Sequence, residues 1–84
     1  MEYLIDIRTQ EEFSDGHYGE AIHHELILLK DDLLPEYSKD STIYLYGRTI
    51  SDTEQAKKIL QENGFTNVTN LGGYDSKLDQ EESV

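Results

Sequence analysis

The sequence predicts an α/β domain built on a mostly parallel central sheet. Short runs of β-branched and aromatic residues alternate along the chain with segments of helical periodicity. Residues that cap or end helices separate these segments. Strands that alternate with helices form right-handed crossover units, which place helices against a parallel sheet. We therefore expect three layers, with helices on both faces of one sheet.

Length and charge limit the class of protein. The 84 residues fit one small domain, and 7 Lys and Arg against 18 Asp and Glu give a formal net charge of −11. This charge opposes binding to phosphate backbones and anionic lipid, and the longest apolar run, residues 26–29, is far shorter than the roughly 20 residues of a membrane span. We expect no nucleic-acid partner and no membrane partner. Because the first residues lack the pattern of a secretory signal, we expect a cytoplasmic protein, or a periplasmic one if a signal peptide was removed.

The first third of the chain predicts a strand, a helix and a second strand. Residues 3–7 are rich in β-branched and aromatic side chains and predict a buried strand that ends at residues 6–8. Residues 9–12 have the pattern of a capping box, which predicts a short helix. Residues 14–16 end that helix, and Ala21-Ile22 predicts a brief second strand.

The middle of the chain predicts a second helix and a central strand. Leu26, Leu29 and Leu33 recur at spacings of three and four, which predicts a helix over residues 25–34 that Pro35 ends. Residues 38–41 form a polar turn, and residues 42–46 have the composition of a central strand.

A third helix and a fourth strand follow. We expect Ser51 or Asp52 to cap this helix and Asn63-Gly64 to end it. Its apolar face consists of Ala56, Ile59 and Leu60. Phe65 and residues 68–71 predict the last strand, which precedes a flexible pair of glycines at 72–73. The domain then comprises residues 1–74, and the acidic residues 75–84 form a tail that we expect to fray.

The spacing of the possible ligand residues does not point to a metal or cofactor. With no cysteine, the chain has no disulfide, thiolate metal site or cysteine nucleophile. His17, His23 and His24 have poor ligand spacing, because neighbouring residues in a strand face opposite sides. We therefore expect no metal and no cofactor.

The candidate site is the loop between the third predicted strand and the third helix. Ligands of parallel α/β sheets bind at the carboxyl ends of strands, and amides at a helix N-terminus attract anions. Arg48 can bind sulfate, phosphate or carboxylate with two hydrogen bonds, whereas Asp52 repels an anion. Ser51 and Thr53 would need an adjacent base to act as nucleophiles, so helix capping is the simpler role. A small anion and a protein partner both remain as ligands, and an exposed Tyr74 would suit the latter.

Nine segments occur in a characteristic order along the chain. They are Leu4-Ile5-Asp6-Ile7-Arg8, Glu11-Glu12-Phe13, Gly16-His17-Tyr18, Ala21-Ile22, Ile43-Tyr44-Leu45-Tyr46, Gln55-Ala56-Lys57-Lys58-Ile59-Leu60, Gly64-Phe65, Asn67-Val68 and Leu71-Gly72-Gly73-Tyr74. This order resembles the rhodanese-like family in its smallest single-domain form, as far as Tyr74. The resemblance implies the three-layer rhodanese-like fold. It also implies an active-site loop at residues 47–53.

The resemblance further implies a missing catalytic atom. Enzymes of this family move a sulfane sulfur from thiosulfate or a similar donor through a cysteine at the head of the loop, and Gly47 occupies that position. Arg48 and Thr53 match the family's loop pattern, but Ile50 and Asp52 depart from it. Because only a thiolate can carry the persulfide, we expect no sulfurtransferase activity.

These observations lead to one interpretation of the site and several rivals. The loop residues that we expect to bind an anion or a partner are Gly47, Arg48, Thr49, Ile50, Ser51, Asp52 and Thr53, supported by Asp6, Arg8, His17 and Tyr74. The resemblance implies that Asp6 and Arg8 are mainly structural. We interpret the chain as a binding or regulatory module. The rivals are an enzyme with altered chemistry in this loop, an enzyme completed by a partner's cysteine, and an inactive copy that is degenerate or engineered.

Overall fold

The computed structural model describes residues 1–74, so the predicted acidic tail lies outside the described residues. Seven elements follow in chain order: β1 (Glu2–Asp6), α1 (Gln10–Asp15), β2 (Ile22–His23), α2 (Leu26–Lys30), β3 (Thr42–Gly47), α3 (Ile50–Glu62) and β4 (Asn67–Gly73). Within residues 1–74, no helix has the length and apolar character needed to cross a membrane. The predicted order of strands and helices is confirmed.

The four strands form one parallel sheet in the order β2-β1-β3-β4. The connection through α1 leads to one side of β1, whereas the connections through α2 and α3 lead in the opposite direction. Because such crossovers are right-handed, α1 is placed on one face and α2 and α3 are placed on the other. The three-layer α/β prediction is confirmed.

The main apolar core lies between the sheet and the helices α2 and α3. Alternate residues of the strands point to this face, because successive side chains in a strand alternate in direction. The buried cluster consists of Ile5, Ile7, Leu29, Ile43, Leu45, Ala56, Leu60, Phe65 and Val68. This packing holds the carboxyl ends of β1 and β3 side by side.

A second, polar and aromatic cluster lies on the opposite face at the carboxyl end of the sheet. Asp6 and Tyr46 are fully buried there. The ring of Tyr18 packs 4.7 Å from that of Tyr46, and the Tyr18 amide donates a hydrogen bond to the Tyr46 hydroxyl. Phe13 of α1 stacks on His23 of β2, which joins the helix to the sheet edge.

The second helix is shorter than the leucine spacing predicts. It ends at Lys30, and Asp32 then adopts a left-handed backbone with φ 61°. The Leu33 amide donates to the Leu28 carbonyl and the Asp32 amide donates to the Leu29 carbonyl, which is the hydrogen-bond pattern of a Schellman motif. The predicted continuation to residue 34 was wrong because this motif turns the chain before Leu33, which is left exposed.

Two details near α3 and β4 also differ from the prediction. Thr49, rather than Ser51 or Asp52, caps α3, because its hydroxyl accepts a hydrogen bond from the Asp52 amide. β4 continues through Gly72 and Gly73, beyond the predicted end at residue 71, and the pairing with β3 shifts register at this point. The predicted end of α3 at residues 63–64 is confirmed, and Gly64 has φ 95°, which favours glycine.

Candidate functional site

The candidate site lies where the strand order reverses, between the carboxyl ends of β1 and β3. Ligands of open α/β sheets bind at this topological switch point. A cleft of about 170 Å³ is present there. Its lining residues are Ile7, Arg8, Thr9, Glu12, Glu25, Leu26, Ile27, Arg48 and Asp52. The structure therefore brings Arg8 and two of the predicted loop residues, Arg48 and Asp52, into one cleft.

Gly47 is buried at the end of β3, and a side chain there would force its neighbours to shift. A Cβ atom at this position would lie 2.9 Å from Cγ1 of Ile7 and 3.1 Å from Cγ2 of Thr53. On the strand's hydrogen-bonding edge, the Gly47 carbonyl accepts a bond of 2.8 Å from the Tyr74 amide. The position that the family resemblance assigns to the sulfur carrier is therefore closed by packing as well as lacking a thiol.

Arg48 binds a carboxylate of its own chain. Its Nε and Nη2 atoms donate to the two carboxylate oxygens of Glu12 at 3.1 and 2.9 Å, although 62% of the Arg48 side chain is exposed. The hydrogen bond from Arg48 is the largest cause that lowers the pKa of Glu12 from 4.5 to about 2, and hydrogen bonds from Thr9 add to it. The guanidinium N–H groups of Arg48 that would bind an anion therefore already donate to Glu12.

The N-terminus of α3 uses its polar groups locally. The Thr49 hydroxyl accepts from the Asp52 amide at 3.2 Å, and the Thr49 carbonyl accepts from the Thr53 amide at 3.3 Å. The buried Thr53 hydroxyl donates to the Ile50 carbonyl at 2.9 Å. Ile50 is 65% exposed, and Ser51 is also exposed. Thr53 is therefore a buried residue of the first turn of α3, and its hydroxyl hydrogen-bonds within that turn.

Asp6 and Arg8 form a buried ion pair beside the cleft. Arg8 Nη2 lies 2.7 Å from Asp6 Oδ2 and also donates to the Gly16 carbonyl at 2.7 Å. Its guanidinium stacks over the ring of Tyr74, 4.1 Å from the centroid. Burial alone would lower the pKa of Arg8, but the hydrogen bonds and charge of Asp6 raise it. The pair ties the end of β1 to the segment that follows α1.

His17 and Tyr74 are not among the residues that line the cleft. His17 stacks on Phe13, with 3.8 Å between the ring centroids, and its Nδ1 atom hydrogen-bonds with the Phe13 carbonyl at 2.8 Å. Tyr74 lies next to Gly47 through its amide and next to Arg8 through its ring. Of the two, Tyr74 is therefore the one in direct contact with the predicted loop.

The sequence did not predict the part that Glu12 plays at the site. The capping box accounts for its bonds to Thr9, but its ion pair with Arg48 joins residues that are 36 positions apart. No local pattern signals such a pair. Among residues 1–74, no group of three or more His, Cys, Asp or Glu side chains is arranged to hold a metal ion.

Comparison with known proteins now identifies the family. The family model of the rhodanese-like domain matches residues 1–78. The thiosulfate sulfurtransferase PspE of Escherichia coli is 34% identical over 73 residues, which cover 86% of this chain and 70% of PspE. The Rhodanese_3 like domain of an Anabaena protein has a TM-score of 0.83 at 27% identity, and the alignment covers 96% of this chain and 93% of that one. A structure described as a rhodanese with anions from E. coli has a TM-score of 0.77 at 34% identity, with 87% of each chain covered. The chain belongs to the rhodanese-like domain family and is related to sulfurtransferases.

Proposed function

We propose that this chain is a rhodanese-like domain without sulfurtransferase activity that binds a protein partner. The proposed contact is the loop surface, defined as residues 47–53 with His17 and Tyr74. One observation carries the first part of the proposal: Gly47 lacks a thiol and is closed against a side chain by Ile7 and Thr53. The second part depends on the chemistry of the surrounding surface.

A related enzyme shows what the chain would need for catalysis. PspE is named a thiosulfate sulfurtransferase. A sulfur carrier must attack a sulfur atom and later release it, which requires a thiolate. The hydroxyls of Thr49 and Thr53 are engaged in the start of α3, and neither these nor the Ser51 hydroxyl is as nucleophilic as a thiolate. The chain therefore offers no substitute carrier in this loop.

The charge of the cleft favours a protein partner over a small anion. A related rhodanese was solved with anions, but here Glu12, Glu25 and Asp52 line the cleft. Arg48 is engaged by Glu12 and Arg8 is engaged by Asp6, so neither cation is left to balance a bound anion. The carboxylates that remain would repel it.

Exposed apolar side chains near the cleft support the protein partner. Ile27, which lines the cleft, is 55% exposed, and Ile50 at the start of α3 is 65% exposed. Apolar side chains beside polar ones form the usual composition of a protein contact surface. Arg48 adds a residue type that is enriched at such contacts.

The absence of catalysis is tested with purified protein, thiosulfate and cyanide. We expect no thiocyanate above the rate of the reagents alone. Two variants provide the comparison: Gly47→Cys restores the thiol, and Gly47→Cys combined with Ile7→Ala also makes space for it. We expect persulfide, detected by mass spectrometry, to form more readily in the combined variant. Turnover by the unmodified chain would refute the proposal.

The binding role is tested on a partner recovered by affinity capture from the source cells. Its dissociation constant should rise about tenfold for Arg48→Ala or Tyr74→Ala, a change equivalent to about 1.4 kcal/mol. Lys58→Ala removes an exposed cation on α3 and serves as the matched control. If the loop variants and the control bind equally well, the loop surface is not the contact.

A further inference from the structure

Within residues 1–74, the amino half of one sheet face is open. Leu4 of β1 and Tyr44 of β3 are neighbours in register on the face opposite α2 and α3, and both are only partly buried. Further along the same face, Asp6 and Tyr46 are fully buried beneath the aromatic cluster. Among residues 1–74, no helix covers the amino half.

This gap is unusual for a parallel sheet. Parallel strands occur almost only in sheets whose two faces are both covered, because both faces carry apolar side chains. The gap forms a shallow depression of about 550 Å³. It is lined by Glu2, Tyr3, Leu4, Tyr18, Gly19, Glu20, Ile22 and Tyr44. We name this surface the open face.

The open face has an apolar floor and an acidic rim. Leu4 and Tyr44 supply the floor, and Ile22 lines the edge of the depression at β2, where it is 39% exposed. Glu2 and Glu20 are exposed, and none of the described residues that line the depression is Lys or Arg. A fitting segment would therefore place apolar side chains on the floor and cations beside the two carboxylates.

We propose that the open face binds a basic, apolar segment of a partner protein. No residue that lines the open face belongs to the loop surface, although Tyr18 packs against Tyr74. The inference therefore goes beyond the proposed function and does not depend on it. Two other possible occupants, a second copy of the chain and residues 75–84, are acidic like the rim and would be repelled by it. A second copy would bring the same carboxylates and a net charge of −11, and residues 75–84 contain four acidic residues and one lysine.

The test uses the full ¹⁵N-labelled chain and three synthetic peptides of equal length. One alternates leucine with lysine, one alternates leucine with glutamate, and one alternates serine with lysine. The leucine–lysine peptide should shift the backbone amides of Leu4, Ile22 and Tyr44 and their neighbours. The other two peptides should bind at least tenfold more weakly, because each lacks one half of the required chemistry.

Matched variants locate the binding site. Glu2→Lys with Glu20→Lys should raise the dissociation constant of the leucine–lysine peptide at least tenfold. Glu36→Lys with Glu62→Lys makes the same change in net charge at exposed positions elsewhere and should alter it less than twofold. Leu4→Thr replaces a floor residue with one that suits a strand and should weaken binding, whereas Leu33→Thr, the same substitution at an exposed site elsewhere, should not.

Four results would overturn the proposal. Equal losses in the two charge variants would show general attraction to an acidic protein, and equal binding of the serine–lysine peptide would remove the apolar requirement. Shifts at Leu4 and Tyr44 that grow with protein concentration, without peptide, would identify a second copy as the occupant. Nuclear Overhauser contacts from Leu78 to Leu4 or Tyr44 in the free protein would identify the chain's own terminal residues.

Discussion

At the level of single residues, Gly47 lacks a reactive side chain and also lies where a side chain would be crowded. Without a side chain it cannot carry sulfur, and the space in front of it is filled by Ile7 and Thr53. The two features are linked, because a buried isoleucine can pack against a backbone only where no Cβ intervenes. A side chain placed at this position would therefore require Ile7 or Thr53 to move.

The steric part can be measured with alanine. Gly47→Ala should lower the free energy of unfolding by about 1–3 kcal/mol, the usual cost of inserting a methyl group into a packed core. The measurement is urea denaturation followed by circular dichroism. Gly19→Ala is the matched control, since no atom lies within 4 Å of a Cβ built there. A loss at Gly19 as large as that at Gly47 would show that the contact with Ile7 is not the cause.

At the scale of elements, the start of α3 sets the shape of the loop. Thr49 ends the extended backbone, and its side chain satisfies the Asp52 amide, which would otherwise lack a partner within the helix. Because of this cap, the Asp52 amide already donates to the Thr49 hydroxyl and is not left to bind an anion. The packing of the buried residues Ala56 and Leu60 then fixes the helix against the sheet.

The identity of the cap gives a direct test. Thr49→Ala should lower the free energy of unfolding by about 1 kcal/mol, the typical loss when an N-cap hydroxyl is removed. Ser51→Ala should change it by less than about 0.5 kcal/mol, because Ser51 is exposed and does not cap the helix. Both variants are measured by urea denaturation. The reverse order of effects would restore the cap predicted from the sequence.

The ion pair between Glu12 and Arg48 joins α1 to the loop, and its effect depends on pH. Because the folded pKa of Glu12, about 2, lies below its ordinary value of 4.5, the ionised carboxylate stabilises the fold above pH 4.5. That contribution is lost as pH falls from 4.5 towards 2. In NMR titrations from pH 6 to 3, the Glu12 carboxyl should stay mostly ionised.

Arg48→Ala should move the Glu12 titration upward, because it removes the largest cause of the shift. The stability of this variant should then depend less on pH between pH 6 and 3. Lys58→Ala makes the same change in net charge and should leave the Glu12 titration where it is. An unchanged Glu12 titration in Arg48→Ala would contradict the ion pair.

At the scale of the whole molecule, the formal charge of −11 acts against the compact state. The chain has eighteen acidic and seven basic residues, and the excess acidic side chains repel one another. Few of them are balanced by ion pairs, since residues 1–74 show one buried pair and one exposed pair. Salt shortens the range of this repulsion, from about 30 Å at 0.01 M to about 3 Å at 1 M. Charge thus links the stability of the fold to the kind of partner that we propose.

Raising NaCl across this range should increase the melting temperature, measured by calorimetry. For a domain of this size, each kcal/mol of stabilisation corresponds to about 4–8 °C. The variant Glu36→Lys with Glu62→Lys should show a smaller increase, because each substitution replaces one negative charge with one positive charge and so reduces the repulsion. A melting temperature that falls with salt would show that attractive ion pairs outweigh the repulsion.

The amino-acid sequence alone was enough to predict the order of strands and helices, the capping box at Thr9 and the end of α3, and it shows the lack of any thiol. These features depend on residues within about four positions of one another, or on composition alone. The predicted C-terminal end of α2 and the predicted N-cap of α3 were wrong. At helix ends, several polar residues compete for the same backbone groups.

The surroundings of the loop depend on contacts between distant parts of the chain. The contact of Ile7 with Gly47, the pairing of Glu12 with Arg48 and the open face beside Tyr44 all join residues that lie far apart in the chain. These contacts form because parallel strands pair side by side and right-handed crossovers place each helix on one face of the sheet. No local sequence pattern encodes them. The sequence shows that the chain has no thiol, and the packing places Ile7 and Thr53 in front of Gly47.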